Sequence, residues 1–149
     1  MSDRDPLEDY PVEVTLQVRW GDMDAFQHVN NTVFFKWFED GRIAYFKASG
    51  ILEHRATTKV GPILAGTSCR FRRPVLWPDE VRVGTRVPEV GADRFTMEYC
   101  VVSVRTGEVV ATGDGLVVCY DYEVGQKAQL PEVILAGIER VEGRGAASA

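Results

Sequence analysis

The sequence has little of what several kinds of protein require. There are three cysteines, Cys69, Cys100 and Cys119, in 149 residues. They are widely spaced, odd in number and form no Cys-x-x-Cys pair, so neither a disulfide framework nor a zinc site is supported. Each lies in a run with strand character and reads as a small core residue. No apolar run approaches the ~18 residues that a membrane span needs. The start, Met1 to Tyr10, is acidic and polar and lacks the charged-then-apolar order of a secretory signal. The formal net charge is −5, with no basic stripe, so nucleic acid is not an expected partner. A cytoplasmic location with reduced thiols is the expectation.

The length suits one domain. A chain of this size buries roughly 68–70% of its unfolded surface and needs no metal or disulfide staple. The expected organisation is a flexible lead over residues 1–11, one domain over 12–141 and a flexible tail over 142–149. Val12 to Trp20 alternates apolar and polar residues and reads as a half-buried strand. Gly21 to Asn30 is polar and small and reads as a loop. Helical periodicity begins near Asn31. Phe34, Trp37, Phe38, Gly41, Ala44 and Tyr45 share one face, which Phe35 and Phe46 widen. Lys36, Asp40 and Lys47 form the polar stripe, and Arg42 is the one charge within the apolar arc. That arc spans about 200°, against the ~100° of an ordinary surface helix, so the helix must be wrapped on more than one side. Asn30 or Asn31 can cap its start, and Ser49-Gly50 ends it.

Ile51 to Gly61 fits a helical turn or an excursion loop equally. Beyond Pro62 the pattern is β: Ile63 to Arg73, Glu80 to Val90, Arg94 to Val104 and Val109 to Tyr122. Short turns separate these runs, which favours hairpins and a mostly antiparallel sheet. Leu130-Pro131 to Val141 reads as a short terminal helix. One long apolar helix followed by hairpins predicts an α+β domain, with the sheet curved around the helix.

Chemistry is concentrated in Asp22-Met23-Asp24-Ala25-Phe26-Gln27-His28-Val29-Asn30-Asn31. Two carboxylates, an imidazole and two amides stand immediately before a helix N-terminus, whose unpaired N–H groups can stabilise an anion. Capping and turn formation account for one amide and one Asp, but not for the second Asp and the His beside them. A mixed metal site from Asp22, Asp24 and His28 is one alternative. An EF-hand is excluded, since position six lacks Gly and position twelve lacks Glu. An aspartyl-phosphate mechanism fits poorly, because residue 26 is Phe and no alternating βα units follow. A serine triad is disfavoured, since Ser68 does not sit in a Gly-x-Ser-x-Gly elbow. Thioester cleavage fits better. A thiolate leaving group, of pKa about 8.5 by analogy with cysteine, departs without a proton donor. One carboxylate, Asp24, and one oxyanion site, the N–H groups around Asn30 and Asn31, would suffice.

Asp-x-Asp-x-x-x-His-x-Asn-Asn, followed by Phe34-Phe35-x-Trp37-Phe38-Glu39, resembles the signature of hotdog-fold thioesterases of the 4-hydroxybenzoyl-CoA and acyl-CoA thioesterase group. The likeness spans roughly Pro11 to Val141 and includes Cys69-Arg70-Phe71-Arg72-Arg73-Pro74 and Pro78-Asp79-Glu80-Val81. It implies a hotdog fold and hydrolysis of an acyl-CoA or acyl-carrier thioester. Asp24 is then the catalytic carboxylate, Asn31 faces the thioester carbonyl, His28 and Asn30 shape the site, and Asp22 is structural. Many relatives carry Gly where this chain has Gln27, and only Gly adopts φ > 0 at no steric cost. Arg70, Arg72 and Arg73 are the candidate ligands for coenzyme A phosphates. No metal or separate cofactor is expected, coenzyme A being part of the substrate. The resemblance also implies a homodimer or homotetramer. The alternative function is a non-catalytic acyl-CoA-binding protein of the same fold. A dehydratase or isomerase would want a second acid or base, and none can be nominated.

Overall fold

The alternating stretches of the second half pair into one antiparallel sheet, and the long helix lies across its inner face. The computed structural model describes residues 4–144. In chain order it contains β1 (Val12–Gln17), a 3-10 turn (Trp20–Asp22), α1 (Asn31–Ser49), α2 (Ile51–Thr57), β2 (Val60–Phe71), β3 (Glu80–Val90), β4 (Arg94–Ser103), β5 (Val109–Asp121), β6 (Gln126–Lys127) and α3 (Glu132–Glu142). The strand order is β1-β3-β4-β5-β2, with β6 beside β5. Every pairing is antiparallel, as short hairpin connections require.

Register decides what meets the helix. Thr85, Tyr99, Gly113 and Cys69 stand opposite one another across β3, β4, β5 and β2. Val83, Val101, Ala111 and Phe71 form the neighbouring row. The Phe38 ring stacks on Tyr99 at 4.6 Å between centroids. A Cβ on Gly113 would collide with that Phe38 ring, and one on Gly41 would lie 2.6 Å from Thr85 Oγ1. Glycine at these two positions sets how closely helix and sheet approach. Phe34, Trp37, Phe38, Tyr45 and Phe46 are buried, each contributing roughly 1.5–3 kcal/mol of hydrophobic stabilisation. Phe35, expected on the same arc, is 37% exposed. Arg42, the charge inside that arc, is buried and donates from Nη1 to Tyr99 Oη at 3.0 Å.

Several boundaries differ from the sequence expectation for visible reasons. β1 stops at Gln17, because the Asp22 carboxylate accepts the Arg19 N–H at 2.8 Å and draws the chain into the 3-10 turn. Trp20 is therefore 70% exposed instead of joining the inward row. The ambiguous stretch after Gly50 is a helix, α2, entered directly from Gly50 in the left-handed region at φ 86. The stretch expected as a flexible lead is docked over its described part. Leu7 is buried against Cys100 and Val102, and Arg82 holds Asp5 at 2.8 Å. Glu142, expected in the tail, ends α3 and accepts from Tyr45 Oη at 2.6 Å and from the Val87 N–H at 2.9 Å. The rest of that tail, residues 145–149, lies outside the described residues. Cys100 and Cys119 are buried as expected, whereas Cys69 is only half-buried. No helix among the described residues is long and apolar enough to cross a membrane.

Candidate active site at the start of helix α1

The polar segment ahead of α1 is a tight hairpin. Met23 and Val29 bridge, the Asp24 N–H donates to His28 O at 3.0 Å, and the Gln27 N–H donates to Asp24 O at 2.9 Å. Ala25, Phe26 and Gln27 form the tip. Three-residue hairpin tips close on a residue in the left-handed region, and Gln27 has φ 65. Among the described residues it is the only non-glycine with positive φ. This explains why glycine suits the position, and how Gln27 is accommodated: the backbone keeps the glycine conformation.

The hairpin is tied down at both ends. The Asp22 carbonyl accepts the Asn30 N–H at 2.9 Å, and the Val75 carbonyl accepts the Val29 N–H at 2.8 Å. Asp24 is half-buried. Its Oδ1 accepts the Phe26 N–H at 2.9 Å, which fixes the carboxylate plane while Oδ2 has no partner among the described residues. Asn30 is the N-cap of α1. Its Oδ1 accepts from both the N–H and the hydroxyl of Thr32, each at 2.9 Å, and its carbonyl accepts the Val33 N–H. The first helical donors can therefore be accounted for one by one. Asn30 N–H goes to Asp22, Thr32 N–H to the cap side chain and Val33 N–H to the cap carbonyl. The N–H of Asn31 has no partner among the described residues, and the residue is exposed.

A cavity of about 250 Å³ opens at this end of the helix, lined by His28, Asn31, Phe34, Phe71, Arg72 and Arg73 among others. The structure thus brings four of the seven sequence-derived candidates to one cavity. Asp24 is joined to it through the hairpin backbone and is not on the lining itself. The Asn30 side chain is spent on the cap and not free for a ligand. Arg70 lies apart, in a separate cavity with Ser68, Glu98 and Asp114. Arg70 and Arg72 have no ion-pair partner among the described residues, whereas Arg73 Nε sits 3.0 Å from Glu108. Among the described residues no group of three His, Cys, Asp or Glu side chains is placed to hold a metal ion, and the Asp22 carboxylate is turned to Arg19. The cysteines are not poised as thiolates: burial pushes the Cys69 thiol up to about 11 and raises Cys100 and Cys119 as well.

Sequence reasoning missed two things here. Reducing the helix-start donors to one needs the Asn30–Asp22 bond, which no local pattern encodes. Docking of the hairpin on Val75 is a contact distant in sequence. The left-handed tip did leave a signal, the departure from glycine at Gln27.

A curved antiparallel sheet wrapped around one long helix is the hotdog fold of the thioesterases. The chain belongs to the thioesterase-like superfamily, whose family model matches residues 18–138. The chain is 30% identical over 111 residues to YsmA of Bacillus subtilis, itself uncharacterized, covering 74% of each chain. It is 21% identical over 117 residues to the long-chain acyl-CoA thioesterase FadM of Escherichia coli, covering 78% of this chain and 88% of FadM. Among solved structures it resembles a thioesterase from Thermus thermophilus, crystallised with coenzyme A and zinc. That likeness has a TM-score of 0.80 and 36% identity, covering 92% of this chain and 98% of the other.

Proposed function

We propose that the protein hydrolyses an acyl-CoA or acyl-carrier thioester, with Asp24 as the reacting carboxylate and the Asn31 N–H as the oxyanion donor. The observation that carries this reading is the pairing of a carboxylate held by the Phe26 N–H with a helix start that has one backbone donor unspent. The substrate carbonyl would lie against Asn31. Attack adds oxygen to the carbonyl carbon, and the resulting oxyanion gains both a hydrogen bond and the positive end of the α1 dipole. Collapse expels the thiolate, which needs no general acid. Asp24 serves as nucleophile, through an acyl-aspartyl anhydride that water then opens to release the acid and restore the carboxylate, or as the base that takes a proton from water as it attacks the thioester. His28 lines the cavity mouth, and Arg72 and Arg73 supply positive charge for the carrier. The Thermus thermophilus relative with bound coenzyme A and the acyl-CoA activity named for FadM support the choice of thiol.

Self-association fits the same reading. β2 is an edge strand of twelve residues, with Ile63, Leu64 and Phe71 each about 40% exposed. A long apolar edge invites pairing, and a second copy added there as a homodimer or homotetramer would sit beside Phe71 and Arg72, at the edge of the site. Light scattering tests it; a monomer at micromolar concentration contradicts it.

The deciding experiment measures free thiol released from acyl-CoA by the wild-type protein and by Asp24→Asn. Loss of at least about 10²-fold with an unchanged melting temperature is expected. Full activity in the variant sinks the assignment. Label found in the Asp24 carboxylate after a single turnover in ¹⁸O-water then assigns the nucleophile role, since only opening of the anhydride at the Asp24 carbonyl puts it there.

A further inference from the structure

We infer that the turn between β4 and β5 carries the phosphate-binding end of the thiol-carrier site, with Arg105 as its main cation. This rests on the acyl-CoA reading above and extends it to a residue outside the helix-start cavity. A second cavity, of about 360 Å³, is lined by Arg73, Pro74, Leu76, Asp79, Arg105 and Glu108 among others. It shares Arg73 and Pro74 with the cavity at the start of α1. A linear ligand whose thioester lies at Asn31 can therefore continue past Arg73 into it.

The charges in this second cavity are not equivalent. Asp79 is held in place by neutral donors and keeps its negative charge: it accepts from the Glu80 N–H at 2.7 Å, from the Arg105 N–H at 3.0 Å and from the Ser103 hydroxyl. Its bonds fix the turn that presents Arg105. Glu108 is paired with Arg73. The Arg105 guanidinium has no hydrogen bond or ion pair among the described residues, so of the cavity's two cations it is the one not already paired. A chain of net charge −5 repels a polyphosphate in general and must offer a local cation where one binds. Arginine suits this because its planar fork bonds phosphate oxygens bidentately. Leu76, 44% exposed on the rim, supplies apolar surface for a base. The ligand chemistry is a nucleoside carrying a pyrophosphate and a ribose phosphate. Arg70, in its separate cavity, has no part in this site.

The test compares three thioesters of one acyl group, on coenzyme A, dephospho-coenzyme A and pantetheine, with wild type, Arg105→Ala, Arg105→Lys and Glu108→Gln. Arg105→Ala should lower kcat/KM for acyl-CoA by about tenfold, through KM, as expected for loss of a charge-assisted phosphate contact. Acyl-pantetheine should be hydrolysed as by wild type. Arg105→Lys should recover most of the loss. Glu108→Gln, which frees Arg73, should lower KM for acyl-CoA about twofold. Persistence of the Arg105→Ala effect on the dephospho substrate assigns the pyrophosphate, and its disappearance assigns the ribose phosphate. An equal effect on acyl-CoA and acyl-pantetheine, or none on either, overturns the inference. If the wild-type protein hydrolyses no acyl-CoA, the functional reading fails first. Calorimetric titration with coenzyme A then still judges the cavity: weaker binding to Arg105→Ala supports it, and unchanged binding overturns it.

Discussion

The two ends of α1 are finished in opposite ways. At the first turn Asn31 and Thr32 are exposed, and the Asn31 N–H is unspent. At the last turn Gly50 closes the helix in the left-handed region, and Arg140 Nη2 donates to the Ala48 carbonyl at 3.3 Å. There α3 approaches so closely that any Cβ on Gly137 would overlap the Ser49 carbonyl oxygen. Glu142 joins α1, α3 and β3 by accepting from Tyr45 and Val87 together. One end is closed by packing and satisfied bonds; the other keeps a donor and a cavity. An unmet donor costs stability when it is buried, so a site built on one belongs where water can reach it until substrate arrives. Substitutions at the open end should change rate without stability, and those at the closed end stability without rate.

The sharpest break of that contrast is Asn31→Pro. Proline removes the single donor but suits the first helical position. Asn30, with φ −63 and ψ 141, already has the extended conformation that a residue before proline requires. Thioester hydrolysis should fall about 10²- to 10³-fold, the usual loss for one oxyanion donor, with the melting temperature unchanged or raised. Asn31→Ala, which keeps the N–H, should retain most activity. Equal loss in both would move the function from the backbone to the side chain.

At the closed end, Gly137→Ala forces α3 off Ser49. Overpacking of this kind costs about 1–3 kcal/mol, read as a lower urea midpoint, while kcat of the folded fraction stays at the wild-type value. Tyr45→Phe is milder. It leaves the Glu142 carboxylate with one fewer donor, at about 1–2 kcal/mol. The same pair gives a pH signature. Burial first, and the Glu142 carboxylate second, push the Tyr45 phenol above its ordinary value. Its contribution is therefore complete below about pH 10, where the unfolded phenol ionises, and is lost as pH rises toward the folded value. Cys69, raised to about 11 by burial, and Tyr99, raised by burial, add to the alkaline loss. Tyr45→Phe should flatten the decline above pH 10 in part; an unchanged decline would remove Tyr45 from this role.

What was legible in the sequence follows the range of the interactions. The buried face of α1 could be read because helical period and apolarity are local properties, and Phe34, Trp37, Phe38 and Tyr45 are buried as the wheel requires. Phe35 escaped: its ring stands 6.4 Å from Phe71, the last residue of β2, and the residue stays 37% exposed. The hairpins after residue 80 were legible from turn residues and alternation. The end of β1 was not, because a single bond from Arg19 to Asp22 overrides an alternating pattern. At the site, residue types and the capping position could be read, and the family likeness ranked them. Two facts could not: the parting of Arg70 from Arg72, and the ion pair of Arg73 with Glu108. Each depends on which way a side chain turns once distant strands have paired.

The smallest expected effect lies at the hairpin tip. Gln27 holds φ 65, a region that costs an L-residue about 1–2 kcal/mol. Glycine removes that cost but gives the unfolded chain more freedom to lose, at roughly 0.4–1 kcal/mol. The balance for Gln27→Gly is a gain of between about zero and about 1.5 kcal/mol, read as a small rise in the urea midpoint. Gln27→Ala keeps the backbone cost and should leave the midpoint near wild type. The pair also tells whether the exposed Gln27 side chain belongs to the open end as a working part or only as a tolerated substitution. If kcat/KM is unchanged in both, the hairpin needs this position for its backbone alone. If both lower kcat/KM alike while only glycine stabilises, the side chain touches substrate, and the open end of α1 extends one residue further than its donor and cavity define.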